Sequence, residues 1–256
     1  MVLANLDLIP SRSTDGRTPY VLTFKVKILS ATMTIKEFCM MMIDILFLFA
    51  AEEPLKCKAT VDIGFILDPV DSSKSTLLKQ KQFLKSIANS FTSSSNGSRF
   101  GLIASDNLSD MIKLKDHKST SDFSKAVDEL TSSDNGAMRI DKAIEGAYKD
   151  LFDPVNGARI EVPRVLVILS ARKSSSIANP ALLSKAISPF QEDGTKVLVV
   201  SIGSEANNPI LKSLASNAND FYVAERVEDL SKTSLQTKIV ESACSATGKF
   251  SLRIYF

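Results

Sequence analysis

From Thr60 onward, short apolar runs alternate with amphipathic ones, and this order leaves few folds open to the chain. Three runs are almost continuously apolar: Thr60-Val-Asp-Ile-Gly-Phe-Ile-Leu-Asp68, Pro163-Arg-Val-Leu-Val-Ile-Leu-Ser170 and Thr195-Lys-Val-Leu-Val-Val-Ser-Ile202. A strand reads this way when both of its faces are buried, as in a parallel sheet covered by helices. Between and after them the period changes. Leu77, Leu78, Phe83, Leu84, Ile87, Ala88 and Phe91 recur at helical spacing over residues 75–91. Residues 121–130 (with Ser119, Thr120 or Ser121 as cap), 139–152, 180–190, 209–216 and 227–243 also read as helices. Residues 99–105 and 108–114 predict a hairpin, and 220–224 a last strand. The expected fold class is therefore α/β: a doubly wound, mostly parallel six-stranded sheet with one antiparallel edge strand and helices on both faces. In such a sheet, ligands bind beyond the C-terminal ends of the strands, here in the loops that begin at Asp68, Ser170 and Ile202.

Composition narrows the function. The 256 residues carry 31 Lys plus Arg against 29 Asp plus Glu, so a net charge of +2 gives no reason to expect a nucleic-acid partner. One histidine, His117, lies in the polar turn Lys115-Asp116-His117-Lys118, where it reads as a solvated loop residue rather than a general base. No G-x-x-x-x-G-K-[ST], G-x-G-x-x-G or G-x-S-x-G is present, which removes the common phosphate, dinucleotide and nucleophile-elbow motifs. Glu192-Asp193 before Gly194 read as turn residues, not as an acid–base pair. The chain is expected not to be an enzyme.

The first third differs. Residues 38–51 read F-C-M-M-M-I-D-I-L-F-L-F-A-A, an apolar run too short for a membrane span, which needs about 20 residues. With Lys36 before it and Ala50-Ala51 at its end it resembles a secretory signal, so residues 33–51 are expected to be a signal peptide beginning at Met33. Asp44 within the run and the distance from Met1 favour the alternative of a buried helix. Residues 1–32 are an unassigned extension, and 52–256 the folded domain. If Cys39 leaves with a signal, Cys57 and Cys244 remain at the two ends of that domain, either bridged or as separate buried thiols. Two sequons, at Asn96 and Asn107, fall in turn-like stretches that suit an exported glycoprotein.

Asp62-Ile-Gly-Phe-Ile-Leu-Asp68 with its Ser-rich loop, Arg99-Phe-Gly-Leu-Ile, the Lys142-Ala143-Ile144 helix and Arg164-Val-Leu-Val-Ile-Leu-Ser170 resemble the von Willebrand factor type A domain in order and spacing. The resemblance runs from Cys57 to Cys244 and implies an open sheet with helices on both faces, serving protein–protein adhesion. It also implies a disulfide between those two cysteines, as in extracellular-matrix members.

Most members of this family hold a divalent cation on an Asp-x-Ser-x-Ser loop, a Thr before the Lys-Ala-Ile type helix and an Asp after the fourth strand. Hard oxygen ligands suit Mg²⁺, whose open position receives a partner's carboxylate. Here Asp68 and Ser72 match, but Val70, Met138 and Ala171 replace the remaining three ligands. Asp71 and Ser170 offer oxygens at other positions, while Lys74, Arg139, Arg172 and Lys173 map to loops around the same face. A cation there repels Mg²⁺ and can pair with Asp68 instead. The resemblance thus implies a secreted adhesion module binding an extracellular or matrix protein, with no metal held tightly and no cofactor. Asp68, Asp71, Ser72, Lys74, Arg139, Arg172 and Lys173 are the expected partner-binding residues. Two alternatives are a structural constituent of the matrix and, further off, a cytosolic α/β enzyme.

Overall fold

Residues 62–68 alternate between two apolar cores, and that alternation explains why all seven are buried. The computed structural model describes residues 3–10, 20–27, 56–68, 74–92, 96–104, 108, 111–130, 139–177 and 179–246. By internal contacts the chain divides into two units, Met1–Glu53 and Pro54–Phe256.

In the first unit, β1 (Leu3–Pro10) pairs with β2 (Tyr20–Lys27) as an antiparallel ribbon, from Leu3 opposite Lys27 to Pro10 opposite Tyr20. This ribbon falls in the stretch that the sequence reading left unassigned. In the sequence, Asp15-Gly16 lies between two apolar-rich runs, a pattern that could have suggested two paired strands. The expected signal peptide at 33–51 lies outside the described residues.

The second unit runs β3 (Asp62–Asp68), α1 (Lys74–Asn89), β4 (Arg99–Ile103), α2 (Thr120–Glu129), α3 (Ile140–Gly146), β5 (Arg164–Ser170), α4 (Pro180–Glu192), β6 (Lys196–Ile202), α5 (Pro209–Lys212), β7 (Phe221–Ala224) and α6 (Thr233–Ser245). The five strands form one parallel sheet in the order β4-β3-β5-β6-β7. On one face Phe65, Val167 and Leu198 pack with Phe83 and Leu84 of α1, Phe123 of α2 and Ile239 of α6. On the other, Ile66, Ile168 and Val199 pack with Ile144 of α3, Phe190 of α4 and Leu211 of α5. The α/β fold with helices on both faces is therefore present.

The sixth, antiparallel strand is reduced to one bridge, Leu102 to Ile112, among the described residues. The chain turns at once after it: the Lys113 N–H donates to the Asp116 carboxylate at 3.0 Å, and the Asp116 N–H to the Lys113 carbonyl at 3.2 Å. The helix expected over 139–152 changes winding. Ala147–Leu151 is a π-helical turn that sets Leu151 and Phe152 on the sheet. A Cβ at Gly101 would stand 2.5 Å from the Leu151 side chain and 2.9 Å from the Ile112 carbonyl, so only glycine admits this contact. The closing helix begins later than expected, because Val227–Ser231 is a 3₁₀ turn and Lys232 is extended before α6.

One buried group stands out in α1. Gln80 is 0% exposed, and neither atom of its amide has a hydrogen-bond partner among the described residues. An unsatisfied buried amide costs free energy that an apolar side chain of similar shape does not. Gln80→Met is expected to stabilise the domain by about 1–2 kcal/mol in a denaturant titration. A loss of stability would show that the amide has a partner.

Candidate functional site

The register aligns Asp68 with Ser170 and Ser170 with Ser201, at the C-terminal ends of β3, β5 and β6. Their preceding neighbours Leu67, Leu169 and Val200 point into the core under α1, α2 and α6. Strand alternation therefore puts Asp68, Ser170 and Ser201 together on the α3–α4–α5 face, as one polar row at the rim. All three are fully buried.

The charge of this row is settled by Arg172, two residues beyond the end of β5. Its Nε donates to one carboxylate oxygen of Asp68 at 2.6 Å and its Nη2 to the other at 2.8 Å. Ser170 Oγ donates to the same carboxylate at 2.7 Å and accepts the Arg172 backbone N–H at 3.2 Å. The Arg172 carbonyl accepts from the side-chain amide of Asn208 at 3.0 Å, and the oxygen of that amide caps α5 through the N–H groups of Ile210 and Leu211. Arg172 is 8% exposed. Burial pushes the Asp68 carboxyl above the ordinary carboxylate range, while the Arg172 guanidinium and the Ser170 hydroxyl act in the opposite direction. Bidentate pairs of this kind are short, directional and geometrically specific.

The donors present do not fit a divalent ion. Both oxygens of Asp68 face a guanidinium, whose charge opposes a second cation at the same place. Ala171 has no side-chain oxygen and packs half-buried against the α1–α2–α6 core. Among the described residues, no group of three or more His, Cys, Asp or Glu could hold a metal. Val70, Asp71, Ser72 and Met138 lie outside the described residues, as does Asn107.

The other predicted cations are placed differently from Arg172. Lys74 opens α1. Arg139 is the residue before α3, and its half-exposed guanidinium sits 2.6 Å from the Asp141 carboxylate. Lys173 pairs with Glu205 at 3.6 Å, with their side chains 62% and 52% exposed. Thus Arg139 and Lys173 stand on the accessible rim, whereas Arg172, expected there with them, is turned inward. His117 rests its ring edge against Phe123 with centroids 6.4 Å apart. Asp193 accepts the Thr195 N–H and hydroxyl as a turn residue, and also pairs with Arg164. Asn96 is exposed in a turn. Cys57 and Cys244 are joined by a disulfide that ties the segment before β3 to the last turn of α6.

Sequence reasoning missed Asn208 and Ser201. Asn208-Pro209 was legible as a helix start, but nothing local shows that its amide reaches the loop after β5. It also missed a second ion pair, in which Asp62, buried at the other end of β3, accepts from the side chain and backbone N–H of Arg159.

A family model of the von Willebrand factor type A domain matches residues 62–238. The chain belongs to this family. Human vitrin is 25% identical over 155 residues, which cover 59% of this chain and 22% of vitrin. The fold is shared with proximal thread matrix protein 1 of the mussel byssus, at TM-score 0.64 and 19% identity over 74% of this chain and 49% of that one. A form of the mussel protein with a zinc-occupied metal-ion-dependent adhesion motif gives TM-score 0.63 at 20% identity, covering 74% and 49%. Manganese-loaded TRAP protein of Plasmodium vivax gives TM-score 0.52 at 18% identity, covering 72% and 74%. The chain spans about a fifth of vitrin and about half of the mussel protein. Among the described residues, no helix is long and apolar enough to cross a membrane.

Proposed function

We propose that this chain is a secreted, non-catalytic interaction module that binds an extracellular or matrix protein through the rim at the strand C-termini, without a divalent metal. The observation that carries the reading is the buried bidentate pair of Asp68 with Arg172, which commits the carboxylate a metal would need. A vitrin relative and a mussel thread matrix protein of the same fold support the matrix setting.

Arg139 and Lys173 are the rim groups suited to meet an acidic partner. The Lys173–Glu205 pair lies at the surface, where it is worth about 1 kcal/mol or less, whereas Arg139 holds the largely buried carboxylate of Asp141. Charge complementarity between these cations and a partner's carboxylates would set orientation and association rate.

The test is a solid-phase binding assay of the oxidised full chain on immobilised extracellular matrix, with polyglutamate as an acidic probe. Binding is expected to survive EDTA unchanged and to weaken several-fold between roughly 0.05 and 0.3 M salt, as screening tightens. Arg139→Ala and Lys173→Ala are each expected to weaken it about two- to fivefold. Loss of binding in EDTA would return the module to a metal-bridged mode.

A further inference from the structure

We infer that the side-chain amide of Asn96 carries an N-linked oligosaccharide, and that the sugar is attached before β3 and β4 close on each other. The inference rests on the export proposed above, because the lipid-linked donor of such a sugar is met along the secretory route.

Asn96-Gly97-Ser98 has the acceptor pattern, and its first and third residues are placed in opposite ways. Asn96 is exposed in the turn that leads into β4. It is held by its backbone, whose carbonyl accepts the Thr60 hydroxyl at 3.3 Å. Among the described residues no hydrogen bond engages its side-chain amide, so a bulky substituent there displaces none. Ser98 is turned inward and is only 5% exposed. Its hydroxyl donates to the Ala59 carbonyl at 3.1 Å and accepts the Val61 N–H at 3.2 Å. Its own N–H donates to the Thr92 carbonyl at 3.1 Å. The next residue, Arg99, opens the β3–β4 ladder opposite Asp62.

In the transfer, the amide nitrogen of Asn96 bonds to the anomeric carbon of a polyprenyl-pyrophosphate oligosaccharide. The bond from that carbon to the pyrophosphate oxygen breaks, and the pyrophosphate leaves on its lipid. One amide proton passes to a base of the transferase. The serine hydroxyl is part of the acceptor pattern, so it must be presented together with the asparagine. In the folded domain it is buried and committed both as donor and as acceptor, and exposing it means opening the start of the β3–β4 pair. The order of events follows: the sugar is attached first, and Ser98 docks on Ala59 and Val61 afterwards. The sugar then stands at the N-terminal end of the sheet. Asp62 and Asp68 mark the two ends of β3, about 20 Å apart at the ordinary strand rise, so this end is remote from the rim that carries Arg139 and Lys173.

The experiment expresses the full chain in secreting animal cells, once with its own N-terminus and once behind a cleavable secretory leader. Peptides are mapped by mass spectrometry after amidase treatment, which converts a glycosylated asparagine to aspartate. Behind the leader, the wild type and Ser98→Thr are expected to carry the sugar at Asn96, and Asn96→Gln and Ser98→Ala to lack it there. Asn96→Gln keeps the backbone carbonyl that Thr60 holds, so its secretion would show that the loss is chemical and not a failure to fold. A secreted wild type with Asn96 bare overturns the inference, whatever is found at Asn107. Retention of the chain that has only its own N-terminus, with Asn96 modified behind the leader, rejects the export reading while Asn96 remains a competent acceptor. The order of events is read in vitro, by offering unmodified chain made in bacteria to purified transferase with a lipid-linked donor. The reduced, unfolded chain is expected to be modified at Asn96 and the oxidised, folded chain not. Equal modification of the two overturns the proposed order.

Discussion

Arg172→Ala is expected to lower the stability of the domain by about 3–5 kcal/mol, the usual consequence of leaving one member of a buried ion pair without the other. Among the described residues, Asp68 would keep a fully buried carboxylate with the Ser170 hydroxyl as its remaining side-chain donor. The loss would spread beyond the pair, because the loop after β5 is anchored through Arg172 to Asp68 on one side and Asn208 on the other. For a domain of this size the change corresponds to a midpoint lowered by roughly 10 °C. Replacing both members, Asp68→Asn with Arg172→Met, should restore much of the loss, since no uncompensated charge remains buried. A double-mutant cycle by urea titration measures the coupling. If Arg172→Ala costs less than about 1 kcal/mol, the pair is not the element that organises this rim.

Opening the disulfide should have an effect of the same order by a different route. Cys57 and Cys244 are 187 residues apart, and the chain-entropy relation gives about 5 kcal/mol for closing a loop of that length in the unfolded state. Both cysteines belong to the core beneath α1, α2 and α6, next to Phe91 and Ala243. The native state therefore holds their positions without help from the bond. Cys57→Ser with Cys244→Ser is expected to unfold at a midpoint roughly 10–20 °C lower than the oxidised protein, and reduction of the wild type should act in the same direction. A variant that unfolds within about 1 kcal/mol of the oxidised chain would place the stabilisation elsewhere.

Much of the fold was legible in the sequence because its signals are local. The apolar runs at 62–68, 164–170 and 196–202 have few other ways to be buried than as central parallel strands, and the structure places them side by side. Helix starts were readable from single residues: Ser119 caps α2 through the Asp122 N–H, and Asn179 and Asn208 cap the proline-led α4 and α5. Legibility failed where the outcome depended on one contact. Among the described residues the expected edge strand is a single bridge from Leu102 to Ile112, after which Asp116 closes a turn on the amide of Lys113. The π-helical turn depends on Leu151 meeting Gly101 across the sheet.

The site divides along the same line. Asp68 was identifiable from its place at the end of an apolar run, and the absence of hydroxyl or carboxylate groups at Val70, Met138 and Ala171 was visible by inspection. That a nearby cation would take Asp68 was also a fair expectation from charge alone. Which of four cations would do so was not readable. Arg139 and Arg172 carry the same guanidinium and lie on loops of the same face, and Asp68 and Arg172 are 104 positions apart. The alternation of strands and helices and the carboxylate at the strand tip could be read along the chain, because each is set by residues within one element; the joining of Cys57 to Cys244, 187 residues apart, could not. That Arg172 turns inward while Arg139 and Lys173 stay on the rim is a fact of the folded arrangement. That choice depends on strand register and on the path of a loop held by Ser170 and Asn208, and no periodicity along the chain encodes a contact made across the sheet.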